Sequence, residues 1–345
     1  MWTSHRCLSI WVLPLILATV SWGGFASAAE PLFASDDVLH LTIHGPLTSL
    51  ARGTPGSTDV RGSIEMADGR MIPMTFSRYG LSRLRECGLP CFKITIEEDD
   101  ARGTVFEGQP TLRLVTPCQH GSSYDRYILL EYLVYKSFAV ITEPALQTRL
   151  VSCRFHDSER PAADETGLAF FVEDIGVAAE RHGKSWLDTR SQRVADLDPA
   201  QLALLALFQF MVGNTDWSAL SSSAGQPCCH NMAVLGAEGD KHNTLLPFDF
   251  DQAGLVDAPY AAPDERLKIQ RVTQRVYRGY CSHNDELSAA IGVFNEKRQE
   301  IEDLLNENAL PNPQARKRAL KYIDGFYDTI NNARKLESRI VNKCR

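Results

Sequence analysis

The chain has 345 residues and a formal net charge of −7, from 36 lysines and arginines against 43 aspartates and glutamates. An acidic chain without a clustered basic run is a poor partner for nucleic acid or for an anionic membrane surface, so neither is expected. Its length exceeds what one compact core usually serves, which favours two lobes.

The first residues read as an export leader. Met1 to Arg6 precede CLSIWVLPLILATV, an apolar run too short to span a membrane and interrupted by Pro14. Ala26, Ser27 and Ala28 form a small-residue cleavage site. Residues 1–28 are therefore expected to be a signal peptide, and the rest an exported, periplasmic or secreted chain without stable membrane insertion; an uncleaved anchor is the alternative. Beyond the leader stand Cys87, Cys91, Cys118, Cys153, Cys228, Cys229, Cys281 and Cys344. An even set in an oxidising compartment reads as disulfides pinning loops, although sequence does not choose the pairing. A structural zinc is the weaker reading, because adjacent Cys228 and Cys229 can hardly both face one ion.

Residues 29–175 read as a β-rich N-terminal lobe. Strand patterns occur in VLHLTIHG, VRGSIEM, MIPMTF, CFKITIE and TLRLVT, with turn residues between them. One helix interrupts them from Tyr124 to about Thr142, with Glu131 among apolar neighbours, and LQTRLVSCRF and LAFFVED follow as strands. Residues 176–345 read as a mostly helical lobe with a catalytic-type hairpin. Asp198 and Pro199 open an apolar helix ending near Gly213, NMAVL and TLLPFDF form the hairpin, and helices cover 285–306 and 313–343.

The chemistry concentrates between Gly213 and Val256, where GNTDWS, HN and PFDFDQAGLV place Asp216, Asn231 and Asp249 in order. Phosphoryl transfer needs one carboxylate to accept or orient a hydroxyl proton, and an amide oxygen plus a second carboxylate for Mg²⁺. Asn214 and Asp216 also suit turn and capping positions. If the strand alternates, His230 faces away from Asn231 and is a packed or surface histidine. Asp251 is either a helper for a second metal or a capping residue.

The run RYILLEYLVYKSF…RLVSCRF…FFVED…GNTDWS…HN…PFDFDQAGLV resembles exported bacterial proteins related to the CotH-type spore-coat atypical kinases, and more distantly HipA-like kinases. The resemblance covers most of the chain from about Phe92 to Cys281. It implies an α+β, two-lobed, atypical protein-kinase-like fold. It also implies that Asp216 is the catalytic carboxylate, that Asn231, Asp249 and Asp251 are metal ligands, and that Glu131 positions a phosphate-binding cation. Arg113 stands where this family would carry lysine, with Lys93 in reserve; arginine's fork is not lysine's point charge. The implied cofactors are Mg²⁺ or Mn²⁺ with ATP or another nucleotide, and the implied partner is a protein or glycan acceptor in the envelope. Two features depart from the pattern. Fourteen residues separate Asp216 from Asn231, and there is no G-x-G-x-x-G segment: Gly103 and Gly108 could flank a phosphate-covering turn, or simply an ordinary turn of a hairpin. The alternative is a catalytically silent binding protein of the cell envelope. A hydrolase built on Asp249 and Asp251 lacks a histidine ligand set. Arg271, Arg275 and Arg278 could share one helical face and meet an anion, or simply be solvated.

Overall fold

A computed structural model describes Met1 and residues 30–53, 59–80, 83, 87–119, 121–161, 164–222, 226–237, 240–307 and 312–345. The expected signal peptide lies outside the described residues apart from Met1. Seven strands close into a barrel in the order β1, β2, β3, β4, β5, β7, β6. They are β1 (Leu39–Gly45), β2 (Val60–Met66), β3 (Met71–Tyr79), β4 (Cys91–Thr95), β5 (Thr111–Val115), β6 (Thr148–Asp157) and β7 (Glu165–Glu173). Neighbours are antiparallel except β1 and β6, whose parallel register, Leu39 with Val151 through Gly45 with Asp157, completes the closure. Alternation along each strand turns Ile43, Ile64, Ile72, Phe76, Phe92, Ile94, Leu112, Leu114 and Phe171 into one buried cluster. Phe76 and Phe92 meet edge-to-face at 5.5 Å.

Among the described residues, three α-helices stand between these strands. They are α1 (Leu47–Arg52), α2 (Glu98–Ala101) and α3 (Asp125–Ile141). Every residue of α3 from Ile128 to Tyr135 is buried, so this part of the helix has no solvent face and belongs to the second, larger core. That core continues through α4 (Ile175–Arg181) and α5 (Pro199–Val212). Asp198 accepts from the Gln201 amide to cap α5, Pro199 occupies its first turn, and Gly213 ends it with φ 67°. A separate antiparallel sheet joins β8 (Ser185–Trp186), β9 (Met232–Gly236) and β10 (Thr244–Pro247). The remaining α-helices among the described residues are α6 (Leu287–Glu296), α7 (Arg298–Glu307), α8 (Pro313–Ile330) and α9 (Ala333–Arg339).

The two-lobed kinase-like architecture expected from the sequence does not describe this molecule. The strands assigned to an N-terminal lobe with one helix instead close into a seven-stranded barrel of mixed direction, interrupted by α1 and α2 as well as α3. The physical reason is the pairing of β1 with β6. Alternation announces that each segment is a strand, but it says nothing of which edge meets which, and the closure joins segments about a hundred residues apart. The segment around Gly103 and Gly108 also differs from a simple hairpin turn. It forms α2 followed by a turn with both glycines at positive φ, 68° and 77°.

Disulfides join Cys87 to Cys118, Cys228 to Cys229, and Cys281 to Cys344, while Cys91 and Cys153 are buried thiols. Among the described residues, no helix is long and apolar enough to cross a membrane.

Candidate functional site

The loop after α5 is fixed by its own side chains. Gly213 turns the chain, and the Asn214 carboxamide accepts from the Asp216 amide at 2.9 Å in an Asx turn. The Asp216 carboxylate is left 43 % exposed at the surface. The long segment to Asn231 folds back on this turn: Ser218 donates its amide to the His230 carbonyl at 3.0 Å, and His230 donates its amide to Ser221 at 3.1 Å. Arg278 donates to the Thr215 carbonyl beside Asp216.

The fold-back brings two side chains onto Asp216. His230 Nε2 lies 2.7 Å from Asp216 Oδ1, and Asn231 Nδ2 donates to the Asp216 carbonyl at 2.8 Å and to Oδ2 at 3.1 Å. Extended alternation would have turned His230 away, but Asn231 has φ 55° and the backbone is not extended there. The Asp216 hydrogen bond raises the His230 imidazole above its ordinary range. Asn231 uses its amide nitrogen on Asp216 and has no hydrogen-bond donor to its Oδ1 among the described residues.

Asp249 enters the same neighbourhood through the backbone. The Phe248 amide donates to the Asn231 carbonyl at 3.1 Å, and the Asp249 amide donates to Tyr135 Oη of α3 at 2.8 Å. Asp249, too, has positive φ, 61°, which re-aims its side chain at the end of β10. Its carboxylate makes no hydrogen bond or ion pair among the described residues. Burial, with the nearby Asp251 and Asp216 charges, pushes its carboxyl up to about 7, against the pull of Arg83 and Arg113.

Arg113 stands on the outer side of the barrel, opposite Lys93 in the β4–β5 ladder. Its guanidinium lies over the Tyr79 ring at 5.0 Å and the Phe248 ring at 4.6 Å. Neither Arg113 nor Lys93 makes an ion pair among the described residues. Lys93 is exposed and Arg113 half-buried, so together they form a cationic pair on the barrel wall, with Phe248 linking Arg113 to the Asp249 turn.

Glu131 does not hold Arg113. Its carboxylate accepts from Arg83 Nη2 at 2.6 Å, and Arg83 Nε donates to Asp251 Oδ2 at 3.0 Å. Arg83 Nη1 meets the Thr116 carbonyl at 2.9 Å and Cys91 Sγ at 3.2 Å. All three charged residues are buried. Burial raises the Glu131 carboxyl to about 8 despite the guanidinium. Asp251 is therefore neither a cap nor an open ligand, since its side chain is buried against Arg83.

Arg83 escaped sequence reading because LSRLREC has neither strand nor helix periodicity around it. The one available signal was stoichiometric: two carboxylates in apolar surroundings, Glu131 and Asp251, require a buried cation. The arginine series 271, 275 and 278 does not form a helical face. The segment is irregular. Arg275 donates to the Met211 and Tyr322 carbonyls and Arg278 to Thr215, while Arg271 is exposed.

No protein-family model matches the chain, and no curated protein matches it.

Proposed function

We propose that the site formed by Asp216, Asn231 and Asp249, with Arg113 alongside, transfers a phosphoryl group from a nucleotide to a hydroxyl of an exported protein or glycan. The observation that carries this reading is the half-buried Asp249 carboxylate, unpaired among the described residues and joined through the Phe248 amide to Asn231, whose amide oxygen has no donor among them. Among the described residues, no cluster of three histidine, cysteine, aspartate or glutamate ligands is present. The donor set instead fits a hard cation that takes one or two protein oxygens and completes its shell with phosphate and water. Asn231 and Asp249 would hold Mg²⁺ or Mn²⁺, which supplies charge neutralisation on the phosphate oxygens. Asp251 has no part in this set, because it belongs to Arg83.

Asp216 orients the acceptor hydroxyl and takes its proton, being the exposed carboxylate of the set. His230 and Asn231 fix the carboxylate by a hydrogen bond to each oxygen. Arg113 and Lys93 attract the phosphate chain, and the Tyr79 and Phe248 rings limit where the Arg113 guanidinium can lie. Export is part of the proposal and agrees with the three disulfides.

A second reading is a catalytically silent envelope protein that binds its ligand at the same residues. It is favoured by the Glu131–Arg83 bond, which leaves Arg113 without a carboxylate to set its position. Thermal stabilisation of the protein by ATP with Mg²⁺ or Mn²⁺, followed by transfer of labelled phosphate, separates the two. Transfer that falls roughly 10²–10⁴-fold in Asp216→Asn supports catalysis. Nucleotide binding without transfer supports the silent form, and absence of any nucleotide binding rejects both.

A further inference from the structure

A cavity of about 550 Å³ opens where α3, the segment after Asp251 and α8 come together. Its volume is that of a small-molecule site rather than of a packing defect. The floor is apolar: Leu130 of α3, Leu255, and Ala315 and Ala319 of α8 are all buried. The wall is aromatic, from Tyr127 and Tyr322.

The charge around the opening has one dominant sign. Arg126, Arg318 and Lys321 line it, and none makes an ion pair among the described residues. Arg126 is instead held over the Tyr127 ring at 4.4 Å. A fourth cation, Arg275, is set by the Met211 and Tyr322 carbonyls and lies over the Tyr322 ring at 3.7 Å. One carboxylate, the exposed Asp257, is the counterweight. In a chain of net charge −7, four cations against one carboxylate around a concave apolar floor are a local inversion of the surface.

We propose that this cavity binds an organic anion with an apolar body, its ring or chain on Leu130, Leu255 and Ala319, and its charged group between Arg126, Arg318 and Lys321. The floor rewards burial of apolar area, and the rim supplies charge-assisted hydrogen bonds to a sulfonate, phosphate or carboxylate. A free inorganic anion would leave the floor wet, and a neutral apolar molecule would leave three cations unpaired. The ligand must therefore carry both parts.

Calorimetric titration of the full chain with 1-naphthalenesulfonate, 2-naphthol and inorganic sulfate tests the assignment. The sulfonate should bind at least tenfold more tightly than either partial probe. The Arg318→Ala/Lys321→Ala double variant should lose about tenfold in sulfonate affinity and little in naphthol affinity. Ala319→Trp, which fills the floor from a surface helix, should abolish both, while Asp216→Asn should leave both unchanged. Equal binding of naphthol, equal binding of sulfate, insensitivity to the double variant, or no binding of the sulfonate at millimolar concentration would each overturn the proposal.

Discussion

Arg83 donates from Nε to Asp251 at 3.0 Å across a sequence separation of 168 residues, and from Nη2 to Glu131 at 2.6 Å. One guanidinium thus bridges two buried carboxyl groups from α3 and from the segment after β10, and ties both to the barrel's β5 end through the Thr116 carbonyl. Arg83→Met should cost about 3–5 kcal/mol, since it leaves two buried carboxyl groups without the hydrogen-bonding partner that methionine cannot replace. Arg83→Lys should recover only part, because one ammonium cannot reproduce a fork that serves both acids. Urea unfolding reads both values. A loss below about 1 kcal/mol for the methionine variant would mean that the triad is not an energetic link.

Asp249 should make stability fall with rising pH. Its carboxyl is ordinarily near 3.8 and is raised to about 7 in the fold, so between those values the folded state holds a proton that the unfolded state has released. Stability declines across that window and levels off above it. Glu131, raised from 4.5 to about 8, adds a slope of the same sign. Asp249→Asn should therefore flatten but not abolish the slope, and raise Tm at pH 8 by about 2–4 °C. The same variant should lose any stabilisation by Mg²⁺. An unchanged pH profile would show that Asp249 is not charged at the expense of stability.

The imidazole of His230 reports on Asp216 directly. The bond at 2.7 Å holds its pKa above 6.5, so the pair's contribution is full below 6.5 and disappears as pH rises through the raised value. Asp216→Asn should bring the His230 titration back toward 6.5 in an NMR pH series. With both side chains about 40 % exposed, global stability should scarcely move. A titration that does not shift would show that the pair is open in solution.

Much of the local structure was legible, and the reason is periodicity. Asp198, Pro199 and Gly213 bound α5 as start and stop residues, and the observed caps use the same positions. The β9–β10 hairpin follows from two apolar runs, and Thr244 pairs with Leu235. What the sequence hid was non-local. Barrel closure by β1 with β6 and the placement of Arg83 beside Glu131 depend on contacts far along the chain. His230 was misread for a local reason: the alternation rule holds only for extended backbone, and Asn231 leaves it. Asp216 and Asn231 meet because the intervening loop is closed by backbone bonds near its ends, an arrangement that spacing alone does not specify.

Gly213 should tolerate no side chain. Its φ is 67°, and a Cβ there would strike the Tyr322 hydroxyl and approach Gly254. Gly213→Ala should cost roughly 2–4 kcal/mol, the sum of left-handed backbone strain and overpacking. Gly213→Ala/Tyr322→Phe should recover the overpacking part alone, because the backbone strain remains. A full rescue in chemical denaturation would assign the whole cost to Tyr322.

The disulfides should differ sharply in what they contribute. Cys281–Cys344 closes 63 residues of chain, whereas Cys228–Cys229 joins neighbours and closes no loop. In the loop-entropy account the first constrains the unfolded chain by up to about 4 kcal/mol and the second by almost nothing. Backbone bonds from Cys281 to the Arg345 carbonyl and from Arg345 to the Gly279 carbonyl already dock the chain end, so native geometry should survive removal of the cross-link. Cys281→Ala/Cys344→Ala should therefore cost about 2–4 kcal/mol through the unfolded state. Cys228→Ala/Cys229→Ala should cost only the lost packing of two small buried side chains, about 1–2 kcal/mol. The comparison is made by urea unfolding of each pair variant. A larger loss for the adjacent pair would mean that Cys228–Cys229 acts on the folded loop carrying His230 and Asn231 rather than on the unfolded chain.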